Sequence, residues 1–440
     1  MSSFIFSCAA GCFEGFEESG CIQVKGIRYA ISERFAEPVP YVYPSGIHAC
    51  RESAPYAVQL PSAAEGNFSG MDYENQKQEE SCQYLSMTIP ADLKEDEKVP
   101  VMVWIHGGAY RNGGCDAISY DRSRMVKENR VILVGLNYRI GILGFTKDRS
   151  GNFANLGLLD LVEGLRWVKN NIAAFHGDTD SITIFGQSAG ADAVRCLMIS
   201  DGTDGLFQRC IIQSDPIGTL TGREDMEQKI LDEVNAMPMD ASIEEVLATQ
   251  ASVTAHVTEK GLAKYMIFGP HAGVYPLPPQ DEVELRLREA AKKYDLLIGS
   301  NAREVSAYLI DKEPVRKLDN FPLTRWIIEL VVSTLSKKIF IKPTEAFASR
   351  YASFKGNTYL YSFNWGAGKS FVGACHMMDF LPLFGSDYLK KDISKMGMSD
   401  EEIHNQGIPM RKIWAEFART GKLTTKEVKG MLKIIAYEEK

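Results

Sequence analysis

No stretch of apolar residues in this 440-residue chain approaches the roughly eighteen that a membrane-crossing helix needs; runs such as WIIELVV stop far short. A basic excess is missing as well. Lys and Arg total 49 against 57 Asp and Glu, giving a net charge of −8 and a pI near 5.6. That balance argues against a nucleic-acid partner, because such proteins usually present a basic face. The N-terminal segment MSSFIFSCAAGCFEGFEESG has no positive region, its first Lys or Arg being Lys25. Acids soon break its apolar letters, so a secretory signal is not expected. The nine cysteines, an odd number at wide and irregular spacings, form neither a disulfide framework nor a metal site. Cys8 and Cys12 are the closest pair and have no second pair or His to complete a site. Buried thiols in a reducing compartment, the cytoplasm, are expected. Internal repeats and low-complexity linkers are also absent.

What is present is ordinary globular composition, 45% hydrophobic and 24% charged. Short apolar runs read as buried strands: VPVMVWI (99–105), RVILVGL (130–136), SITIF (181–185), RCIIQ (209–213), YDLLIG (294–299) and TYLYSFNW (358–365). Helical patterns alternate with them. In GLLDLVEGLRWVKNNIAAF, Leu158, Leu161, Val162, Leu165, Val168 and Ile172 recur at helical spacing and form one apolar stripe. This alternation predicts an α/β fold, a mostly parallel sheet wrapped by helices in a single domain over 1–440. The helix-rich, charged segments 216–292 and 311–357 read as insertions over the carboxyl edge of the sheet, where ligands bind in such folds.

The stretch FGQSAGAD (185–192) sits between the strand SITIF and the helical pattern AGADAVRCLMI. A bare G-x-S-x-G frame is weak, but strand, tight turn and helix is the context that the nucleophile-elbow motif requires. Side chains at Gly186 or Gly190 would collide with the neighbouring strand or helix. Ser188 therefore projects from the turn beside the N–H groups of a helix N-terminus. WIHGGAY (104–110) also follows a strand, and consecutive glycines let backbone N–H donors approach a developing oxyanion. His106 in that loop is expected to fix it by hydrogen bonds. A serine needs a base, and the base an orienting acid. His376, in FVGACHMMDFLPLFG, and Glu304, in LLIGSNAREVSAYL, each follow a strand. The order Ser188, Glu304, His376 is the Ser…Asp/Glu…His order of α/β-hydrolases.

With these residues in view, the chain resembles the type-B carboxylesterases, the carboxylesterase–cholinesterase–lipase branch of the α/β-hydrolases. The blocks that carry the resemblance are collinear: GIRYA, ESCQYLSM, IHGGAY, LNYRIGILGF, NLGLLDLVEGLRWVKNNIAAFHGD, ITIFGQSAGA, FQRCIIQS, IGSNARE, GACHMMDFLPLFG and IWAEFARTGK. The resemblance implies a serine esterase with Ser188 as nucleophile, His376 as base and Glu304 as its orienting acid. It implies an oxyanion hole of the Gly107, Gly108 and Ala189 N–H groups, and no metal or organic cofactor. It also implies buried, structural ion pairs Arg34–Glu80 and Arg139–Asp160, a supporting role for Ser214 through hydrogen bonds to the polar groups of the triad, with simple packing as its alternative, and a small-molecule ester as partner.

Several positions depart from the family pattern. Gln187 stands where many members carry Glu, His176 and Asp215 where Gly is usual, and the segment PYAVQLP (55–61), where secreted members carry the cysteine that pairs with the equivalent of Cys82, has none. The interval of 72 residues from Glu304 to His376 and the short tail predict a reduced helical cap. The same machinery would serve an amidase, thioesterase or lactonase. A non-catalytic binding module of this fold is a further alternative, although such relatives typically lose the serine or histidine. Tyr110, Trp326, Trp365 and Phe380 are candidates for lining the pocket, with ordinary core packing as the alternative.

Overall fold

The computed structural model describes residues 3–61, 76–259, 261–309, 312–315, 322–385 and 396–437. Among them, the apolar runs condense into a 13-stranded sheet. Its strands are β1 (Ser3–Cys8), β2 (Gly11–Glu18), β3 (Cys21–Arg28), β4 (Tyr84–Pro90), β5 (Val99–Ile105), β6 (Ile132–Leu136), β7 (Gly177–Gln187), β8 (Arg209–Gln213), β9 (Asp295–Asn301), β10 (Thr358–Phe363), β11 (Glu427–Val428) and β12 (Leu432–Tyr437). They follow one another as β1-β2-β3-β4-β6-β5-β7-β8-β9-β10-β12-β11, with Ile47–Ala49 alongside β2. From β6 through β10 every pairing is parallel. Antiparallel strands extend this centre at both ends. All six strands expected from the sequence lie in the parallel centre, because only there does burial on both faces leave an unbroken apolar run.

Alternation within β5 shows how the sheet divides two cores. Val101, Val103 and Ile105 enter one buried cluster, whereas Met102 and Trp104 enter the other, the period of two that a pleated strand imposes. Helices α1 (Leu156–Asn171) and α2 (Ala189–Leu197) cover the first face, and α3 (Asp400–Thr420) covers the second. The expected stripe of α1, from Leu158 to Val168 and on to Ile172, is buried in full. α3 begins at a capping box between Ser399 and Glu402 and stops at Gly421, whose φ of 66° ends the helix in the left-handed region. It contributes Trp414 and Phe417 to the second core.

The Arg139–Asp160 pair joins the loop after β6 to α1. Arg139 Nε donates to Asp160 Oδ2 at 2.8 Å and a terminal nitrogen donates to Oδ1 at 2.8 Å. The Arg139 backbone N–H and the Gln83 amide also donate to the same carboxylate, at 2.9 and 3.2 Å. Both side chains are buried, so the pair survives desolvation by saturating its hydrogen bonds. Arg34–Glu80 also forms, with Nε to Oε2 at 2.9 Å. Its side chains retain 14% and 24% exposure, however, so this pair lies at the margin and is screened by solvent.

Asp160→Ala leaves Arg139 buried without a counter-charge and is expected to cost about 3–5 kcal/mol in urea denaturation at pH 7. The double variant Arg139→Met/Asp160→Leu is expected to recover most of that loss. A single variant within about 1 kcal/mol of the parent would refute this role.

Candidate active site

The central strand β7 must become α2 within one residue, and that residue is Ser188. Its φ of 58° and ψ of −124° lie where side-chain-bearing residues seldom sit. Backbone bonds hold the turn. The Ser188 N–H donates to Gln213 O at 2.9 Å, and its carbonyl accepts from Asp192 N–H at 3.0 Å. A Cβ at Gly186 would lie 2.5 Å from the Gly190 carbonyl carbon, and one at Gly190 would overlap the Ile105 carbonyl oxygen. Only glycine fits either position. Between residues 181 and 200, Ser188 is the one residue that is not buried. Ala189 opens α2, so its N–H is among the first-turn donors that helix geometry leaves without an internal partner.

The glycine loop after β5 approaches this turn from the neighbouring strand. A Cβ on Gly107 would stand 2.5 Å from the Gln187 carbonyl oxygen and 3.3 Å from the Ser188 Cβ. Among the described residues, no backbone hydrogen bond uses the N–H of Gly107 or Gly108. The loop is tied down around them. Tyr138 Oη donates to His106 O at 2.7 Å, Gly141 N–H donates to Tyr110 O at 2.6 Å, and Asn112 Nδ2 donates to Leu60 O at 2.5 Å. His106 is buried against Tyr138, ring centroids 4.6 Å apart, and its Nδ1 bonds Gly107 O at 2.9 Å. Burial pushes its imidazole down to about 4, so it is neutral near pH 7.

Across the carboxyl ends of β9 and β10, His376 Nδ1 donates to Glu304 Oε2 at 2.6 Å. The second carboxylate oxygen of Glu304 accepts the Asn301 N–H at 2.7 Å. These bonds set the tautomer: Nδ1 carries the proton and Nε2 is the acceptor. Gln187 Nε2 stands 3.2 Å from that acceptor, and among the described residues no hydrogen bond links Ser188 to His376. The rings of Tyr308 and Phe340 flank the imidazole at 5.5 and 5.2 Å. Behind it, Asp379 is fully buried and accepts from Gln213 Nε2 at 2.5 Å and Asn301 Nδ2 at 3.3 Å. Burial first, and then the charge of Glu304, raise its carboxyl to about 6.

A second buried network begins at the glycine loop. Tyr110 Oη donates to Asp192 Oδ2 at 2.9 Å, and Arg195 bridges Asp192 and Asp215, reaching Asp215 Oδ2 at 2.7 Å. Two carboxylates share one guanidinium. Arg195 is thereby held charged, and burial raises Asp215 to about 7 against the pull of Arg195. Ser214, at a φ of 53°, and Asp215 follow β8 directly. Among the described residues the Ser214 hydroxyl and Asp215 Oδ1 are buried without hydrogen-bond partners, so the hydrogen bonds expected from Ser214 to the triad are not made.

Sequence reasoning missed Asp379 and the Asp192–Arg195 pair. The legible signal for the latter was two charges, three residues apart, inside a helix otherwise built of small and apolar residues. His176 lies away from the site. It ends the turn before β7 at a φ of 65°, with Nδ1 bonded to Glu97 O at 3.3 Å. Of the aromatic candidates, Tyr110 belongs to the buried network. Trp365 is buried and donates to Gln406, and Phe380 packs on Trp104 and Tyr120. Trp326 is 63% exposed on the helix Pro322–Ser336 and lines no buried pocket. All nine cysteines are free.

Comparison with known proteins agrees over nearly the whole chain. A model described as the Carboxylesterase family matches residues 5–329 and 325–434. A probable N-octanoylanthranilate hydrolase of Rhodococcus erythropolis is 32% identical over 410 residues, spanning 91% of this chain and 89% of its own. Para-nitrobenzyl esterase of Bacillus subtilis (strain 168) is 29% identical over 467 residues, spanning 97% and 92%. Among solved structures, a thermophilic PNB esterase superposes with a TM-score of 0.81 at 26% identity, covering 98% of this chain and 97% of that one.

Asp379 yields a pH-dependent outcome. Its folded value of about 6 lies above the ordinary 3.8, so the native state holds this proton more tightly than the unfolded chain. Its contribution is fully present below about 4 and is lost as pH rises through about 6. Relative to the parent, Asp379→Asn is therefore expected to be more stable at pH 8 than at pH 4, by about 1–3 kcal/mol. Urea midpoints of both proteins at the two pH values measure this, and an equal difference at both would disprove it.

Proposed function

The chain belongs to the carboxylesterase family, a family of ester-cleaving hydrolases, and on that premise we propose that it is a serine esterase working through Ser188, His376 and Glu304. The observation that carries this reading is the 2.6 Å bond from His376 to Glu304, made beside the one residue left accessible on the strained turn, Ser188. His376 Nε2 takes the Ser188 proton as the serine oxygen attacks the ester carbonyl. The N–H groups of Gly107, Gly108 and Ala189 receive the oxyanion, and each such donor is typically worth about 10²–10³ in rate. The bond between the carbonyl carbon and the leaving oxygen breaks, and the alcohol departs with the proton from His376. Water then attacks the acyl-enzyme by the same route. Glu304 keeps the imidazole in its Nδ1–H form and balances the imidazolium charge. Gln187, Ser214 and His106 are supporting groups that shape the surroundings of the triad and the loop.

The unit is a single catalytic domain. Segments 216–292 and 311–357, both lying partly outside the described residues, serve as a reduced cap. Phe340 of the second segment lies against the imidazole, and Tyr265 of the first packs on Tyr308, the ring beside it; both contacts support this, since they help to exclude water from the base. Nine free thiols favour a reducing compartment, the cytoplasm. A second reading is amide hydrolysis by the same steps. It is favoured by the relative whose name describes hydrolysis of an N-acyl compound, N-octanoylanthranilate.

Ser188→Ala is expected to lower turnover of p-nitrophenyl butyrate by on the order of 10⁴–10⁶ while leaving the melting temperature nearly unchanged. It should also abolish labelling by a fluorophosphonate probe. Near-parental turnover in this variant would exclude Ser188 as nucleophile, and an unlabelled parent would favour a binding module. A panel of p-nitrophenyl esters and N-acylanilides of graded acyl length then divides esterase from amidase through kcat/KM.

A further inference from the structure

We propose that Gln187 is a positioning residue that holds the base nitrogen of His376 in the resting enzyme and yields it to Ser188 during turnover; this deepens, and rests on, the esterase reading above. The imidazole has one proton and one lone pair. Its proton is committed at Nδ1 to Glu304, so Nε2 can accept one strong hydrogen bond. Gln187 supplies it, its side-chain N–H donating across 3.2 Å. The placement is rigid. Gln187 is buried, ends the central strand β7, and pairs with Gln213 on β8. A carboxamide at Nε2 and a serine hydroxyl at Nε2 are therefore competing occupants of one lone pair.

Protonation reverses this geometry. Once Nε2 receives the Ser188 proton it becomes a donor and faces another donor, the Gln187 N–H. The carboxamide must then turn its oxygen to the ring or withdraw. Gln187 thus favours the neutral resting imidazole and offers the imidazolium nothing without that movement. The other groups around the ring approach from different sides. Glu304 is at Nδ1, Asp379 lies three residues on in the same loop, the Tyr308 and Phe340 rings flank it, and the neighbouring Cys375 thiol is turned to the His376 carbonyl. Among the described residues, no charged side chain bonds Nε2, so the identity of residue 187 decides what the base nitrogen meets.

Two variants and two readouts test this. In Gln187→Glu, a carboxylate replaces the amide beside Nε2 and favours the imidazolium, so the acid limb of kcat/KM for p-nitrophenyl butyrate moves to higher pH by about one unit or more. In Gln187→Met, of similar length but without a donor, Nε2 is released to Ser188. The second-order rate of labelling by a small fluorophosphonate then rises about fivefold, the factor corresponding to one hydrogen bond of ordinary strength. An acid limb unmoved within about 0.2 unit in a folded Gln187→Glu, or labelling no faster in Gln187→Met, overturns the proposal. If Gln187→Glu does not fold, the Met variant decides alone. A parent protein that resists the probe, or a Ser188→Ala variant that still takes it, removes the esterase reading and this inference together. A labelled parent with indifferent Gln187 variants removes only this inference.

Discussion

The site depends on one geometric constraint, the reversal of chain direction at Ser188. The central strand of a sheet buried on both faces must end and a helix must begin with no residue between them except the serine itself. A turn that tight admits no Cβ at Gly186 or Gly190 and forces Ser188 to a positive φ. The cost is of order 1–3 kcal/mol, and it persists because packed neighbours over-determine the backbone. The Ser188 N–H is tied to β8, and the helix that follows is buried throughout. Ser188 is left as the one residue between 181 and 200 that is not buried.

The parallel register carries this constraint outward. β5, β7, β8, β9 and β10 end side by side, so the chain segments leaving them meet at one rim. The glycine loop leaves β5, Ser188 leaves β7, Ser214 and Asp215 leave β8, Glu304 follows β9, and His376 follows β10. Residues separated by hundreds of positions become neighbours because the strands share a direction. This is the reason that ligand sites of such sheets gather at the carboxyl edge.

Electrostatics at that rim is dominated by buried acid. Asp192, Asp215, Glu304 and Asp379 are all enclosed; Arg195 is bonded to Asp192 and Asp215, and the imidazole of His376 to Glu304. An excess of carboxyl groups in a low-dielectric setting raises the proton affinity of those least compensated, here Asp215 and Asp379. Glu304 and Asp379 each accept hydrogen bonds on both oxygens, whereas Asp215 leaves Oδ1 without one. The carboxylate that orients the imidazole therefore also helps burial to raise Asp379 behind it.

Much of this was written in local sequence. The six central strands, the stripe of α1 and the glycine pair of the elbow follow from short-range patterning, because burial on two faces and tight turns constrain adjacent residues; Ser188, Glu304 and His376 were singled out by their order along the chain and by the family resemblance. The antiparallel flanks were not legible, since half-exposed strands such as β2 mix charge with apolar residues and show no clean run. Nor was the margin position of Arg34–Glu80 or the exposure of Trp326, which depend on what packs overhead. Asp379 and the Asp192–Arg195–Asp215 network were hidden for the same reason. The sequence alone determined the strand–turn–helix at Ser188 and the kinds of chemical group available to it. The tertiary structure alone decided which of those groups touch, above all that the amide of Gln187 and not the Ser188 hydroxyl meets the imidazole, because a hydrogen bond depends on tenths of an ångström between segments that no local pattern relates.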